Sequence, residues 1–270
     1  MSTQPSFLRV TRSGAGDHIV TVALDRPEAM NAISTAFAVQ LVDVTRELSP
    51  DPTVRVVVLR STSAKAFCVG ADLKERQHMS ESDLMAHREI SRRGYRGMLD
   101  LPMPTIAAIE GYALGGGLEL ALACDLIVAG QGSTVALPEV SVGLIPGGGG
   151  TQLLTRKVGW SRAASMIFTA ERFDTDTALV RGVIDYATPA GGADQRATEL
   201  AEAIAQNSPT SVRNAKAAMR AGLDVDLMAG LEIEDDQWRA TARNEDRREG
   251  ITAFNEKRSP TWHPLAAERD

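Results

Sequence analysis

The architecture is written most plainly in residues 104–129, PTIAAIEGYALGGGLELALACDLIVA. Thr105–Ile109 is a short apolar run bounded by a proline and a glycine-rich segment, the mark of a strand buried on both faces. Gly111–Gly117 reads as a glycine-rich turn. Leu118–Ala123 reads as a short helix, and Leu126–Ala129 as another buried strand. Strands joined through helices belong to an α/β core.

The same alternation extends in both directions. Upstream, His18–Leu24 is rich in β-branched residues and reads as a strand, followed by a turn at Asp25-Arg26-Pro27. Ser34 is placed to cap a helix over Thr35–Leu48, with Phe37, Leu41, Val44 and Leu48 at helical spacing. Val54–Leu59 reads as a buried strand, Ala66–Asp72 as a loop of small residues, and Ser80 as the start of a helix reaching Leu101. Downstream, Thr134–Ala136 is a strand and Gly147–Gly150 precedes a helix from Thr151. Two further helices, Ser161–Ala170 and Thr175–Arg181, lead to a last strand at Val183–Ala187. From Asp194 onward only helices follow, one opening at Ser208-Pro209 and one long helix spanning Met228–Glu245. This predicts an α/β core over residues 1–195 and a helical extension over 196–270.

The 270 residues carry 29 Lys and Arg against 35 Asp and Glu, a net charge of −6. That balance argues against a dedicated nucleic-acid binder, which presents a basic face. The longest apolar stretch, Leu120–Ala129, is interrupted by Asp125 and is too short to span a bilayer. Met1–Arg12 lacks the pattern of a signal peptide. Cys68 and Cys124 make neither a disulfide framework nor a zinc site, which suits a reducing, cytoplasmic setting.

Two glycine clusters, Gly115–Gly117 and Gly147–Gly150, draw attention to themselves. Neither has the spacing of a phosphate-binding loop. Gly115–Gly117 instead offers backbone N–H groups at a helix start, suited to a developing oxyanion on a thioester carbonyl. Ala66–Asp72 could supply a second N–H. Glu119, between Leu118 and Leu120, and Glu139, after Leu137-Pro138, lie in apolar sequence that would raise a carboxyl's proton affinity. Either could equally be a salt-bridged or solvated glutamate. Cys68 is a weaker candidate nucleophile, and Asp72 and Asp125 read as caps or buried salt-bridge partners.

These segments resemble the enoyl-CoA hydratase/isomerase, or crotonase, superfamily. The matching text begins with Arg26–Ala32 and Phe67–Leu73. It continues through Pro104–Ala108, Gly111–Leu120, Ala123-Cys124-Asp125, Pro138-Glu139 and Gly143–Thr151. It ends with Asp246–Gly250 and Ala253–Arg258. The resemblance implies a spiral of repeated ββα units, C-terminal helices that trimerise, two trimers often stacking as a hexamer, an acyl-CoA substrate and no cofactor or metal. It implies an oxyanion hole of the Ala71 and Gly116 N–H groups, with Glu119 and Glu139 holding the water of a hydratase. CoA is expected along Lys65, Ala66, Phe67, Gly70, Asp72, Leu73 and Lys74. The resemblance also implies that Arg26, Ala29, Gly115 and Pro138 line the same thioester and that Phe254 and Lys257 close over the nucleotide end, from this or a neighbouring subunit, although Lys257 reads equally as a solvated surface lysine.

The wording of residues 70–76, 118–125 and 145–151 is nearest the methylglutaconyl-CoA hydratase branch. A substrate with a second carboxylate calls for a cation near the acyl end, and Lys74 and Arg76 are the candidates. Short-chain 2-enoyl-CoA hydration and enoyl-CoA isomerisation stand beside that reading. One member of the branch binds RNA through a lysine-rich helix. Here Ser34–Arg60 contains no lysine, and Arg46, Arg55 and Arg60 are balanced by Asp43, Glu47 and Asp51, so no RNA binding is expected. A silent scaffold is disfavoured because both glutamates and both glycine loops are present.

Overall fold

The computed structural model describes residues 6–265. The described chain opens with a hairpin, β1 (Leu8–Ser13) against β2 (Ile19–Leu24). Helix α1 (Thr35–Leu48) follows, and the Ser34 hydroxyl caps it by accepting from the Phe37 N–H. One unit then repeats. β3 (Val56–Ser61) and β4 (Ala66–Cys68) lead into α2 (Leu73–Arg76) and α3 (Glu81–Leu99). β5 (Thr105–Ile109) and β6 (Tyr112–Leu114) lead into α4 (Gly116–Leu122). β7 (Leu126–Gly130) and β8 (Thr134–Ala136) lead into α5 (Gly150–Val158) and α6 (Trp160–Thr169). β9 (Phe173–Asp174), α7 (Thr175–Arg181) and β10 (Tyr186–Thr188) come next. Then follow α8 (Ala193–Ala205), α9 (Pro209–Gly222), α10 (Leu227–Arg243) and α11 (Glu245–Glu256).

Each unit sends its first strand to a main sheet, β1-β2-β3-β5-β7-β10, and its second to a smaller sheet, β4-β6-β8-β9. This is the ββα spiral. Most neighbours are parallel, so the helices serve as the crossovers such strands require. The main sheet is covered on both faces. Val57, Leu59, Ala107 and Ile109 join Phe37 and Leu41 of α1 in one core. Val56, Val58, Ile106 and Ala108 pack instead against Ala193, Ala197 and Ala201 of α8. Hence the strands read as unbroken apolar runs rather than alternating ones.

Several boundaries differ from the sequence reading. β4 opens the expected 66–72 loop, and β6 lies within the expected glycine-rich turn. β3 runs two residues later than expected, Val56–Ser61, and the side chain of Arg55 just before it donates to the Ala205 carbonyl at the end of α8. The last strand moves to Tyr186–Thr188, while Val183 and Ile184 are buried in the coil before it. The expected Met228–Glu245 helix ends at Arg243. Asn244 takes an extended backbone, and its side chain accepts from the Asp246 N–H to start α11.

Asp125 is a salt-bridge partner, as the sequence suggested, although it is half-buried rather than fully buried. Oδ2 accepts from the Thr105 N–H at 2.8 Å and from Lys216 Nζ at 2.6 Å, while Oδ1 accepts from Arg220 at 2.9 Å. These bonds tie α9 to the ends of β5 and β7. Burial depresses the proton affinity of Lys216, and the Asp125 charge opposes it. Asp125→Ala is expected to cost about 2–3 kcal/mol in urea unfolding, because Lys216 keeps its burial and loses its carboxylate.

Candidate active site

Two backbone segments meet at the centre of the fold. The first is Gly70–Asp72, between β4 and α2. It is held by Ile33, whose N–H donates to Gly70 O at 2.7 Å and whose carbonyl accepts from the Asp72 N–H at 3.1 Å. The second is the start of α4. The segments touch: a Cβ on Gly70 would lie 2.8 Å from the Gly116 nitrogen. Among the described residues neither the Ala71 nor the Gly116 N–H finds an acceptor. Unbonded N–H groups are uncommon in a folded interior, and two beside each other make a ready site for a carbonyl oxygen gaining charge.

Glu119 projects from α4 and is 3% exposed. Its Oε1 accepts from the Gly148 N–H at 2.6 Å and the Gly150 N–H at 2.8 Å. The second glycine cluster therefore holds this carboxylate. Burial raises its proton affinity, while the N–H groups of Gly150, Gly148 and Gly147 and the nearby Arg88 charge favour the ionised form. Glu139 opens a short 3-10 turn after β8 and has the opposite surroundings. Its Oε2 is buried with no hydrogen-bond partner among the described residues. Burial and the Glu119 charge push its carboxyl up to about 7, against its own backbone N–H and the Arg76 charge. Gly115, at φ 53°, lets the chain pass beneath it, since a Cβ there would lie 2.9 Å from Glu139 Oε1.

Tyr95 and Arg88 of α3 complete the walls, and sequence reading passed over both. The Tyr95 hydroxyl lies against Gly116, and its ring against Gly148. Arg88 packs on Gly147. A cleft of about 290 Å³ continues past Tyr95 and Gly147–Gly149, with Arg92, Arg96, Leu99 and Leu153 on its walls. A larger hollow of about 520 Å³ lies between β2, β3 and α8. It holds no comparable grouping: its charged walls are the Arg60–Asp194 pair with Glu199 and Glu202.

The remaining residues singled out from sequence separate into three groups. Lys65, Leu73 and Lys74 are exposed around the mouth of the 65–74 segment, and Ala29 and Pro138 are partly buried. Ala66 and Phe67 are fully buried, so the Phe67 ring belongs to the core and only their backbone could meet a ligand. The Asp72 carboxylate is already engaged, accepting from the Lys74 and Glu75 N–H groups and from Arg26 at 2.7 Å. It acts as a cap, and Arg26 is spent holding it and the Ala32 carbonyl. Phe254 and Lys257 lie at the exposed end of α11. Cys68 is no nucleophile: its Sγ donates to the Asn31 carbonyl, and burial pushes the thiol up to about 12.

Comparison with known proteins identifies the family. The enoyl-CoA hydratase/isomerase family matches residues 14–264, and the chain belongs to that family. It is 40% identical to a probable mitochondrial enoyl-CoA hydratase 2 of Arabidopsis thaliana, covering 97% of this chain and 87% of the relative. It is also 40% identical to mouse mitochondrial methylglutaconyl-CoA hydratase, over 90% of this chain and 79% of that one. The crystal structure of an enoyl-CoA hydratase from Bacillus anthracis superposes with a TM-score of 0.93 at 38% identity, covering 95% of this chain and 99% of that chain.

Proposed function

We propose that this protein hydrates 2-enoyl-CoA thioesters as a hydro-lyase. The observation that carries the reading is the contrast between the two glutamates. Glu119 accepts from two backbone N–H groups that favour its anion against burial, whereas Glu139 is half-buried, with its Oε2 unpartnered among the described residues and its proton affinity raised by burial and by the Glu119 charge. A base and an acid are thereby kept side by side at neutral pH.

The thioester oxygen accepts from the Ala71 and Gly116 N–H groups. Glu119 takes a proton from water as its oxygen attacks Cβ. The charge moves to the thioester oxygen as an enolate, and Glu139 delivers its proton to Cα. The sum is H on Cα and OH on Cβ, and a proton passing from Glu119 to Glu139 resets the pair. An isomerase needs only a shuttle for one proton, so the retained second carboxyl favours hydration. The chemistry needs no group beyond the chain, CoA being part of the substrate.

A second reading narrows the substrate to 3-methylglutaconyl-CoA. It is favoured by Arg76, a cation whose charge reaches Glu139, and by the methylglutaconyl-CoA hydratase relative. Crotonyl-CoA and 3-methylglutaconyl-CoA, compared by loss of enoyl absorbance, test both readings. Turnover of neither overturns hydration of these acyl groups, and the ratio of kcat/KM values separates the two readings.

The pH profile carries a signed expectation. Activity requires Glu119 ionised and Glu139 protonated. The rate should therefore rise from acid pH as Glu119 loses its proton and fall as pH climbs through about 7, where Glu139 loses its own. The two limbs belong to the pair rather than to either carboxyl alone. A flat profile between pH 5 and 9 would contradict the assignment.

Self-association as a trimer, or two stacked trimers, through residues 196–270 is part of the same proposal. Met219, Leu227, Met228 and Trp238 on α9 and α10, and Leu223 just after α9, are exposed, a concentration of apolar surface that monomers rarely present. Phe254, 83% exposed, and Lys257 would then close over CoA across subunits. Sedimentation velocity tests the assembly. No helix among the described residues is long and apolar enough to cross a membrane. The buried thiols of Cys68 and Cys124 suit the reducing, cytoplasmic setting proposed.

A further inference from the structure

One buried titratable group takes no part in the hydration chemistry. His87 of α3 is 2% exposed, at a seam where three helices meet. Its Nδ1 lies 2.9 Å from Thr35 Oγ1 at the start of α1, and its Nε2 lies 3.4 Å from Arg76 Nη2 and 3.2 Å from Ser91 Oγ. A guanidinium can only donate. Nε2 is therefore the acceptor, and the ring proton sits on Nδ1, directed at Thr35.

Among the described residues Arg76 has no carboxylate partner. Its neighbour Glu75 is taken up by the Thr35 N–H at 2.9 Å. The Arg76 Nε is buried with no partner among the described residues, and the one hydrogen bond of its side chain there is to His87. A guanidinium partly enclosed in this way is costly unless its charge serves a neighbour. The charge reaches two site groups, Glu139 and Tyr95. Glu139 Oε2 is itself buried and unpartnered among the described residues.

We propose that His87 is a positioning residue: by accepting from Arg76 it fixes the guanidinium where its charge bears on Glu139. The inference rests on the hydratase reading for its meaning, since Glu139 is the acid there. The charged groups facing Glu139 are Glu119 from α4, which favours its protonated form, and Arg76 from α2, which favours its anion; Tyr95 from α3 also faces it. Those facing His87 are Arg76 and Glu75 of α2. Burial and Arg76 keep the imidazole neutral at physiological pH, with Glu75 opposing. The clamp therefore holds wherever the enzyme works. Its position also serves the oxyanion loop, because α2 begins directly after Asp72, the neighbour of Ala71.

The test is a carboxyl ¹³C NMR titration of glutamate-labelled protein, with the Glu139 resonance assigned by its loss in Glu139→Gln. Arg76→Met should raise the Glu139 midpoint by on the order of half to one pH unit, the size expected for losing one charge at short range. His87→Leu should raise it in the same direction, and the double variant no further than Arg76→Met alone. Arg76→Lys keeps the charge, and His87→Gln keeps an acceptor, so both should stay near the wild type. A midpoint unmoved in folded Arg76→Met, or unmoved in folded His87→Leu, overturns the proposal. If His87→Leu fails to fold, His87→Ser is read in its place. A purely structural role for His87 would lower the melting temperature without moving Glu139. Because the readout is not turnover, absence of hydration in the wild type would sink the hydratase reading and leave this result standing.

Discussion

Glu119→Gln and Glu139→Gln will each lower kcat/KM for enoyl-CoA hydration by about 10²-fold or more, the usual weight of one positioned acid or base. The two losses differ in kind. Glu119→Gln presents an amide to the N–H groups of Gly148 and Gly150, which now meet a carboxylate. The amide oxygen still accepts, so the loop should hold, but no base remains for the water. Glu139→Gln replaces a group whose buried oxygen has no donor to lose, so it should leave the melting temperature unchanged or raise it. The double variant should be little worse than either single one, because the two carboxyls serve one addition as base and acid. Simple multiplication of the two losses would show that they work in separate steps. Full activity in both variants would return the silent scaffold to consideration.

Gly117→Ala carries the largest expected stability loss. An added Cβ would lie 1.9 Å from the Cys68 carbonyl oxygen and 2.6 Å from its carbon. Both are backbone atoms of β4, so no rotamer relieves the clash and α4 must move away from β4. The cost should be about 3 kcal/mol or more, at the upper end of overpacking effects. It falls on the two segments that carry the Ala71 and Gly116 N–H groups, so the folded remainder should also lose turnover. Gly132→Ala is the control. Gly132 has φ +87° and nothing within 4 Å of its Cβ position, so it should cost only about 1 kcal/mol of backbone strain. Urea unfolding of the two variants separates packing from conformation. Equal losses would mean that α4 and β4 are looser than their contact implies.

The parts of this molecule that could be read from sequence are those whose signal is local. Ser34, Ser80 and Ser208 cap the helices expected of them. The buried strands β3, β5 and β7 fell within one or two residues of their expected limits. The strands that escaped are short or one-sided. β1 buries only Leu8, so it has no hydrophobic pattern to find. β4 and β6 have three residues each and exist because parallel neighbours pair with them.

The candidate site divides in the same way. Glu119, Glu139 and the two glycine clusters stood out because a charge in apolar sequence and a run of glycines are local anomalies, and resemblance supplied the Ala71 and Gly116 pairing. Local sequence does not specify that Gly147–Gly150 closes on Glu119, which favours the ionised form of that carboxyl against its burial and gives Glu139 no such support. Nor does it specify that Tyr95 and Arg88 wall the site, or that His87 holds Arg76. The first two depend on groups brought together from separate ββα turns, and the last on α2 and α3 folding against each other within one turn. Composition and periodicity determine which faces are buried; the identity of the neighbour across a buried face, and so the proton affinity of each carboxyl, is decided only when the turns stack.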